Sequence, residues 1–122
     1  MNEREIKKPP FLMRKAYKYW DFLLNELQVT EGFRNIDTYQ LGILANALND
    51  YADSTKVLES EGKFYKTGSG LIRLHPANSV QADSLKIVKE LGQGFGLNFR
   101  SRENLLSVFK AKKQPDNFDK LD

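Results

Sequence analysis

Between residues 41 and 58 the chain repeats apolar and small residues at the spacing of one helix face. Leu41, Leu44, Ala45, Leu48, Ala52, Thr55 and Leu58 fall three or four positions apart. That period is the strongest single signal for an amphipathic α-helix. The segment has start and stop signals as well. Asp37 followed three residues later by Gln40 has the pattern of a capping box, with Ile36 and Leu41 in hydrophobic-staple positions. Gly62 supplies a C-terminal stop. The spacing predicts a helix over about residues 38–61, and a chain of 122 residues that gives so much of itself to one helix folds as a single mainly α domain built around it.

The flanking segments supply partners for that helix. Pro10 suits a first helical position, and Ala16, Trp20, Leu23, Leu24 and Leu27 follow at helical spacing, predicting a first helix over about residues 10–28 with Trp20 in the core. Arg14, Lys15 and Lys18 lie off that apolar stripe. Residues 63–74 change character. Lys63-Phe64-Tyr65-Lys66-Thr67 and Leu71-Ile72-Arg73-Leu74 flank Gly68-Ser69-Gly70, which reads as a short hairpin. Two strands alone are marginal, so the hairpin must pack on helices or on another subunit. After Pro76 a third helix is expected, with Val80, Ser84, Ile87, Val88, Leu91 and Phe95 on its inner face and Gly92, Gly94 and Gly96 loosening its last turn. Ser101 caps a predicted short final helix carrying Leu105, Leu106 and Phe109. The expected organisation is a flexible basic arm at 1–9, a helical core domain at 10–109 and a disordered tail at 110–122.

Composition closes off most chemistry. With no cysteine there is no disulfide, thiolate or iron–sulfur chemistry, and one histidine excludes a multi-histidine metal site. No apolar run exceeds three residues, so neither a membrane span nor a signal-peptide core is expected. Gly62-Lys63-Phe64 lacks the hydroxyl that a phosphate-binding loop places on magnesium, and the Gly92, Gly94, Gly96 series follows no strand. His75 with Ser69 or Ser79 is a weak base–nucleophile pair, better read as a residue outside a helix start. Asp50 and Asp53, one helical turn apart, lack the further ligands a metal needs. Neither a catalytic residue, a metal nor a cofactor is expected.

Charge is the feature left to carry function. The net charge of +3 hides its distribution. Residues 1–20 hold six basic and two acidic groups, residues 21–61 two and eight, and residues 62–102 seven and two. The candidate nucleic-acid-binding residues, DNA-binding under the resemblance given below, are Lys7, Lys8, Arg14, Lys15 and Lys18 in the first block, and Lys63, Lys66, Arg73, Arg100 and Arg102 in the second. By composition alone such runs are also read as solvated charged faces. Tyr17, Tyr19 and Tyr65 interleave with them.

The order of several short motifs resembles the small subunit of phage terminase, in its short single-domain form from tailed double-stranded-DNA phages. The helix from Leu44 ends in Leu58-Glu59-Ser60-Glu61-Gly62. The loop Thr67 to Gly70 leads into His75-Pro76-Ala77, and the next helix runs into Phe95-Gly96-Leu97, followed by Ser101-Arg102 and a leucine. Asn98-Phe99-Arg100 departs from the Thr-Pro or Ser-Pro usual after the Gly-Leu step. The resemblance covers about residues 14–106. It implies a non-catalytic DNA-packaging factor that works as a ring-shaped homo-oligomer in the host cytoplasm during phage assembly. Such a factor recognises the packaging start site on viral double-stranded DNA, and it recruits and regulates the large ATPase–nuclease subunit. In a ring the acidic block of one copy suits the basic 62–102 block of the next, which makes Asp50, Asp53, Phe64, Tyr65, Leu71 and Ile72 candidate interface residues. Phe118 and Leu121, set among acids in the tail, are candidate anchors for the large subunit. Two alternatives are a head–tail connector type of structural ring protein, which needs no DNA recognition, and a small helical DNA-binding regulator. The regulator fits less well, because the 28–37 connection is longer than the turn of a helix-turn-helix.

Overall fold

The computed structural model describes residues 6–28 and 33–97. The chain divides into two compact units, Met1–Leu91 and Gly92–Asp122. Among the described residues the fold is mainly helical. Helix α1 spans Tyr17–Leu27, α2 spans Thr38–Glu61 and α3 spans Ala77–Phe95, with an antiparallel hairpin of β1 (Phe64–Lys66) and β2 (Ile72–Leu74) between α2 and α3.

The core lies where α1 packs on α2. Ala16, Trp20, Leu23 and Leu27 on one side and Leu41, Leu44 and Ala45 on the other are buried, as is Leu58 near the end of α2, and Trp20, Leu41 and Leu44 are the largest side chains fully removed from water. Each such side chain contributes about 1.5–3 kcal/mol by burial. Phe33, just before α2, joins this core.

Helix α2 has the predicted bounds, but it starts by a different device. Asp37 does not cap it with its side chain. Instead the Arg34 N–H donates to Asp37 Oδ2 at 2.9 Å, which closes a short 3-10 turn over Asn35–Asp37 ahead of the helix. The staple is not formed either: Leu41 is buried while Ile36 is 77% exposed. At the other end, Gly62 adopts φ 86° and ψ 157°, a conformation essentially confined to glycine, and its N–H bonds the Leu58 carbonyl at 2.8 Å.

The first helix begins seven residues later than predicted. Pro9 accepts a turn bond from the Leu12 N–H, Met13 is extended, and a 3-10 turn over Arg14–Ala16 precedes α1. The cause is a tertiary clasp. The Met13 N–H donates to Asn46 Oδ1 at 2.9 Å, and Asn46 Nδ2 donates to the Phe11 carbonyl at 3.1 Å. One amide from α2 thus occupies backbone groups that a helix would have needed. Pro9 is buried beside Gly42, and a Cβ on Gly42 would stand 2.5 Å from Pro9 Cγ.

In the hairpin, Phe64 faces Leu74, Tyr65 faces Arg73 and Lys66 faces Ile72. Its loop closes through Thr67 N–H to Leu71 O at 2.8 Å and Gly70 N–H to Thr67 O at 3.0 Å. At its base the Lys63 carbonyl accepts from both His75 N–H and Asn78 Nδ2. Helix α3 continues through Gly92 and Gly94, where a looser last turn was expected. Its expected inner face is only partly covered. Ser84 is buried and Gln81 Nε2 reaches Thr55 Oγ1 at 3.0 Å, but Val80 and Ile87 stay exposed. The predicted final helix, with Leu105, Leu106 and Phe109, lies outside the described residues.

Candidate functional site

The first basic block forms an outer edge where the chain enters α1. Lys7, Lys8, Arg14, Lys15 and Lys18 are all exposed; for Lys18 on α1 the apolar stripe of Ala16, Trp20 and Leu23 turns the position outward. They are not equally available. Lys8 Nζ stands 3.8 Å from Asp21 Oδ1 and 5.0 Å from the Tyr17 ring centre. Lys15 Nζ donates to Asp53 Oδ2 at 2.7 Å. Lys18 lies over the neighbouring Tyr19 ring at 5.3 Å. Arg14 and Lys18, one turn apart, make no ion pair among the described residues.

The Lys15–Asp53 contact joins a candidate DNA ligand to a candidate interface acid inside one protomer. The Lys15 hydrogen bond holds the Asp53 carboxyl below its usual range, helped by the bond from Asn49 Nδ2 at 3.3 Å. Of the two α2 acids singled out, Asp50 makes no ion pair among the described residues. Among the described residues no three His, Cys, Asp or Glu side chains cluster as a metal would require. No described helix is long and apolar enough to cross a membrane.

On the hairpin Lys63, Lys66 and Arg73 are exposed, as are Phe64, Tyr65, Leu71 and Ile72. Cross-strand pairing sorts them by face. Phe64, Lys66, Ile72 and Leu74 share one face, while Tyr65 and Arg73 share the other. The second face holds His75, whose ring stands edge-on to Tyr65 at 6.4 Å. His75 Nδ1 accepts from the Ala77 N–H at 3.0 Å, so Nε2 carries the proton and donates to Glu61 Oε1 at 2.8 Å. This histidine ties the end of α2 to the start of α3.

One surface escaped sequence reasoning. Phe11 and Tyr39 have ring centres 6.0 Å apart, and both are exposed together with Ile36 and Ile43. The signal was available in the spacing of Ile36, Ile43 and Asp50, seven residues apart, but it lies on the face of α2 opposite the expected core stripe. Arg100, Arg102, Phe118 and Leu121 lie outside the described residues.

These features define a small, mainly helical protein whose exposed groups include clustered cations and large apolar side chains. The family model of the phage terminase small subunit matches residues 16–111. The chain belongs to the phage terminase small-subunit family, whose members are generally non-catalytic. No curated protein and no solved structure matches the chain.

Proposed function

We propose that this chain recognises the packaging start site on viral double-stranded DNA and recruits and regulates the large terminase subunit, acting as a homo-oligomeric ring in the host cytoplasm during phage assembly. Family membership over residues 16–111 carries the proposal. Arg14 and Lys18, which make no ion pair among the described residues, and the exposed Lys7 upstream of them support the DNA role, since exposed cations neutralise phosphates without needing a pocket. The exposed hairpin and the uncommitted Asp50 support assembly, because an apolar surface rimmed by charge is what a subunit contact requires. Phe118 and Leu121 are the proposed anchors for the large subunit. Repetition around a ring multiplies weak contacts by effective concentration, which suits a protomer with few cations per face.

A gel shift of the full chain against packaging-site DNA, with a scrambled duplex of equal length as competitor, tests the reading. Preference for the packaging site supports it. Equal or no binding to both duplexes overturns the recognition role and favours the connector alternative.

A further inference from the structure

Two apolar surfaces sit at opposite ends of α2, and neither is covered by the other described residues. One is a face of the hairpin: Phe64, Leu74 and Ile72 are 60%, 61% and 66% exposed, with Lys66 at their edge. The other lies at the start of α2: Ile36 in the 3-10 turn ahead of the helix and Ile43 on the helix are exposed, as is Phe11, whose ring stands 6.0 Å from Tyr39, and Asp50 follows Ile43 by two helical turns. From Ile43 to the end of α2 the helix rises about 27 Å, so the two surfaces do not merge into one. Each surface is a few large apolar side chains with one charge on its rim, and the rim charges are opposite.

We infer that the hairpin face of one copy docks on the Phe11, Ile36 and Ile43 surface of a second copy, with Lys66 meeting Asp50. This deepens the ring reading given above by naming its contact surfaces. Three observations favour a second copy as occupant. A two-stranded hairpin exposed on both faces is marginal without a cover. The rim charges are complementary between the surfaces and not within either one. And a symmetric contact of hairpin with hairpin would set Lys66 against Lys66 and leave the α2 surface bare. Two different surfaces meeting head to tail generate a ring when the rotation closes.

Light scattering on the eluting full-length chain tests the contact. The wild-type chain is expected to elute as an oligomer. Ile43→Asp and Ile72→Asp each remove one surface and should each lose the oligomer peak. Mixed in equal amounts they should form a one-to-one dimer, because the first variant keeps an intact hairpin and the second an intact α2 surface. Both positions are exposed, so far-UV circular dichroism should show both variants folded. Should either unfold, charge reversal replaces it: Asp50→Lys and Lys66→Glu should each weaken assembly at least tenfold, and the two combined in one chain should restore it. An Ile43→Asp chain that assembles like wild type, a mixture that stays monomeric, or a doubly reversed chain without recovery overturns the contact while leaving a ring through other surfaces. A wild-type chain that is monomeric overturns the contact and the ring together, and leaves DNA recognition to the gel shift.

Discussion

Gly42 has the environment that decides how α2 meets the start of the chain. In an open helix, Gly→Ala stabilises by about 1 kcal/mol. Here a Cβ would stand 2.5 Å from Pro9 Cγ and 3.0 Å from Phe11 Cε1, and a pyrrolidine ring is not a flexible tip that swings aside. Gly42→Ala is therefore expected to lower stability by about 1–3 kcal/mol, the usual cost of overpacking, as read by urea unfolding. The Lys15–Asp53 pair has a smaller effect with a definite pH signature. Lys15 depresses the folded-state pKa of Asp53, so the pair's contribution is complete above the unfolded value and is lost as pH falls through the folded one. Lys15 is largely solvated and Asp53 partly so, which limits the pair to about 0–1 kcal/mol. Asp53→Asn should be less stable than wild type at pH 7, and the gap should close as acidification protonates the folded-state Asp53 carboxylate. A gap that persists at low pH would mean the difference comes from something other than the ion pair. None of these contacts was legible in the sequence, because Pro9 and Gly42, or Lys15 and Asp53, lie more than thirty residues apart and no local pattern joins them. Trp20, Leu41 and Leu44 were legible, because burial follows directly from their place on an apolar stripe.

Elements were read best where the period alone decides them. Helix α2 kept its predicted ends, and the hairpin forms inside its predicted 63–74 span with shorter strands, since Gly62 and the Thr67–Gly70 loop are local signals acting on local backbone. The start of α1 was misread because Asn46, on another element, takes the Phe11 and Met13 backbone groups. The α2 capping box was misread because Asp37 spends its carboxylate on the Arg34 N–H behind it. His75 couples elements in a way that predicts a local effect. Its ring bonds Glu61 at the end of α2 and the Ala77 N–H at the start of α3. His75→Ala removes both bonds, a loss of about 1–2 kcal/mol. Because the α1–α2 core does not depend on that ring, amide exchange should accelerate across residues 63–78 and stay unchanged in Trp20 to Leu27. Uniform acceleration through α1 would show that the hairpin junction and the core unfold as one unit.

For the whole molecule, the modest net charge of +3 means little until it is divided between surfaces and multiplied by copies. Within a protomer the acidic block already takes some of the basic one: Asp53 holds Lys15, and Asp21 stands near Lys8. What remains for DNA at the start of α1 is chiefly Arg14 and Lys18. Two cations on one chain make a weak, poorly selective phosphate ligand. The same two repeated on a ring make a strong one, and the salt dependence of binding counts them. Each phosphate neutralised on duplex DNA contributes about 0.9 to the slope of log affinity against log salt. Arg14→Gln with Lys18→Gln should therefore lower the slope by about 1.8 for every protomer whose edge is on DNA. Fluorescence anisotropy of packaging-site duplex titrated from low to moderate salt would read that drop. A fall near 1.8 means one engaged protomer, and a severalfold larger one means that several copies grip the duplex together. An unchanged slope with unchanged affinity would remove α1 from the DNA surface and transfer the role to the second basic block. The measurement separates from assembly, because light scattering on the same variant should show the wild-type mass: Arg14 and Lys18 belong to neither of the two surfaces assigned to the contact between copies.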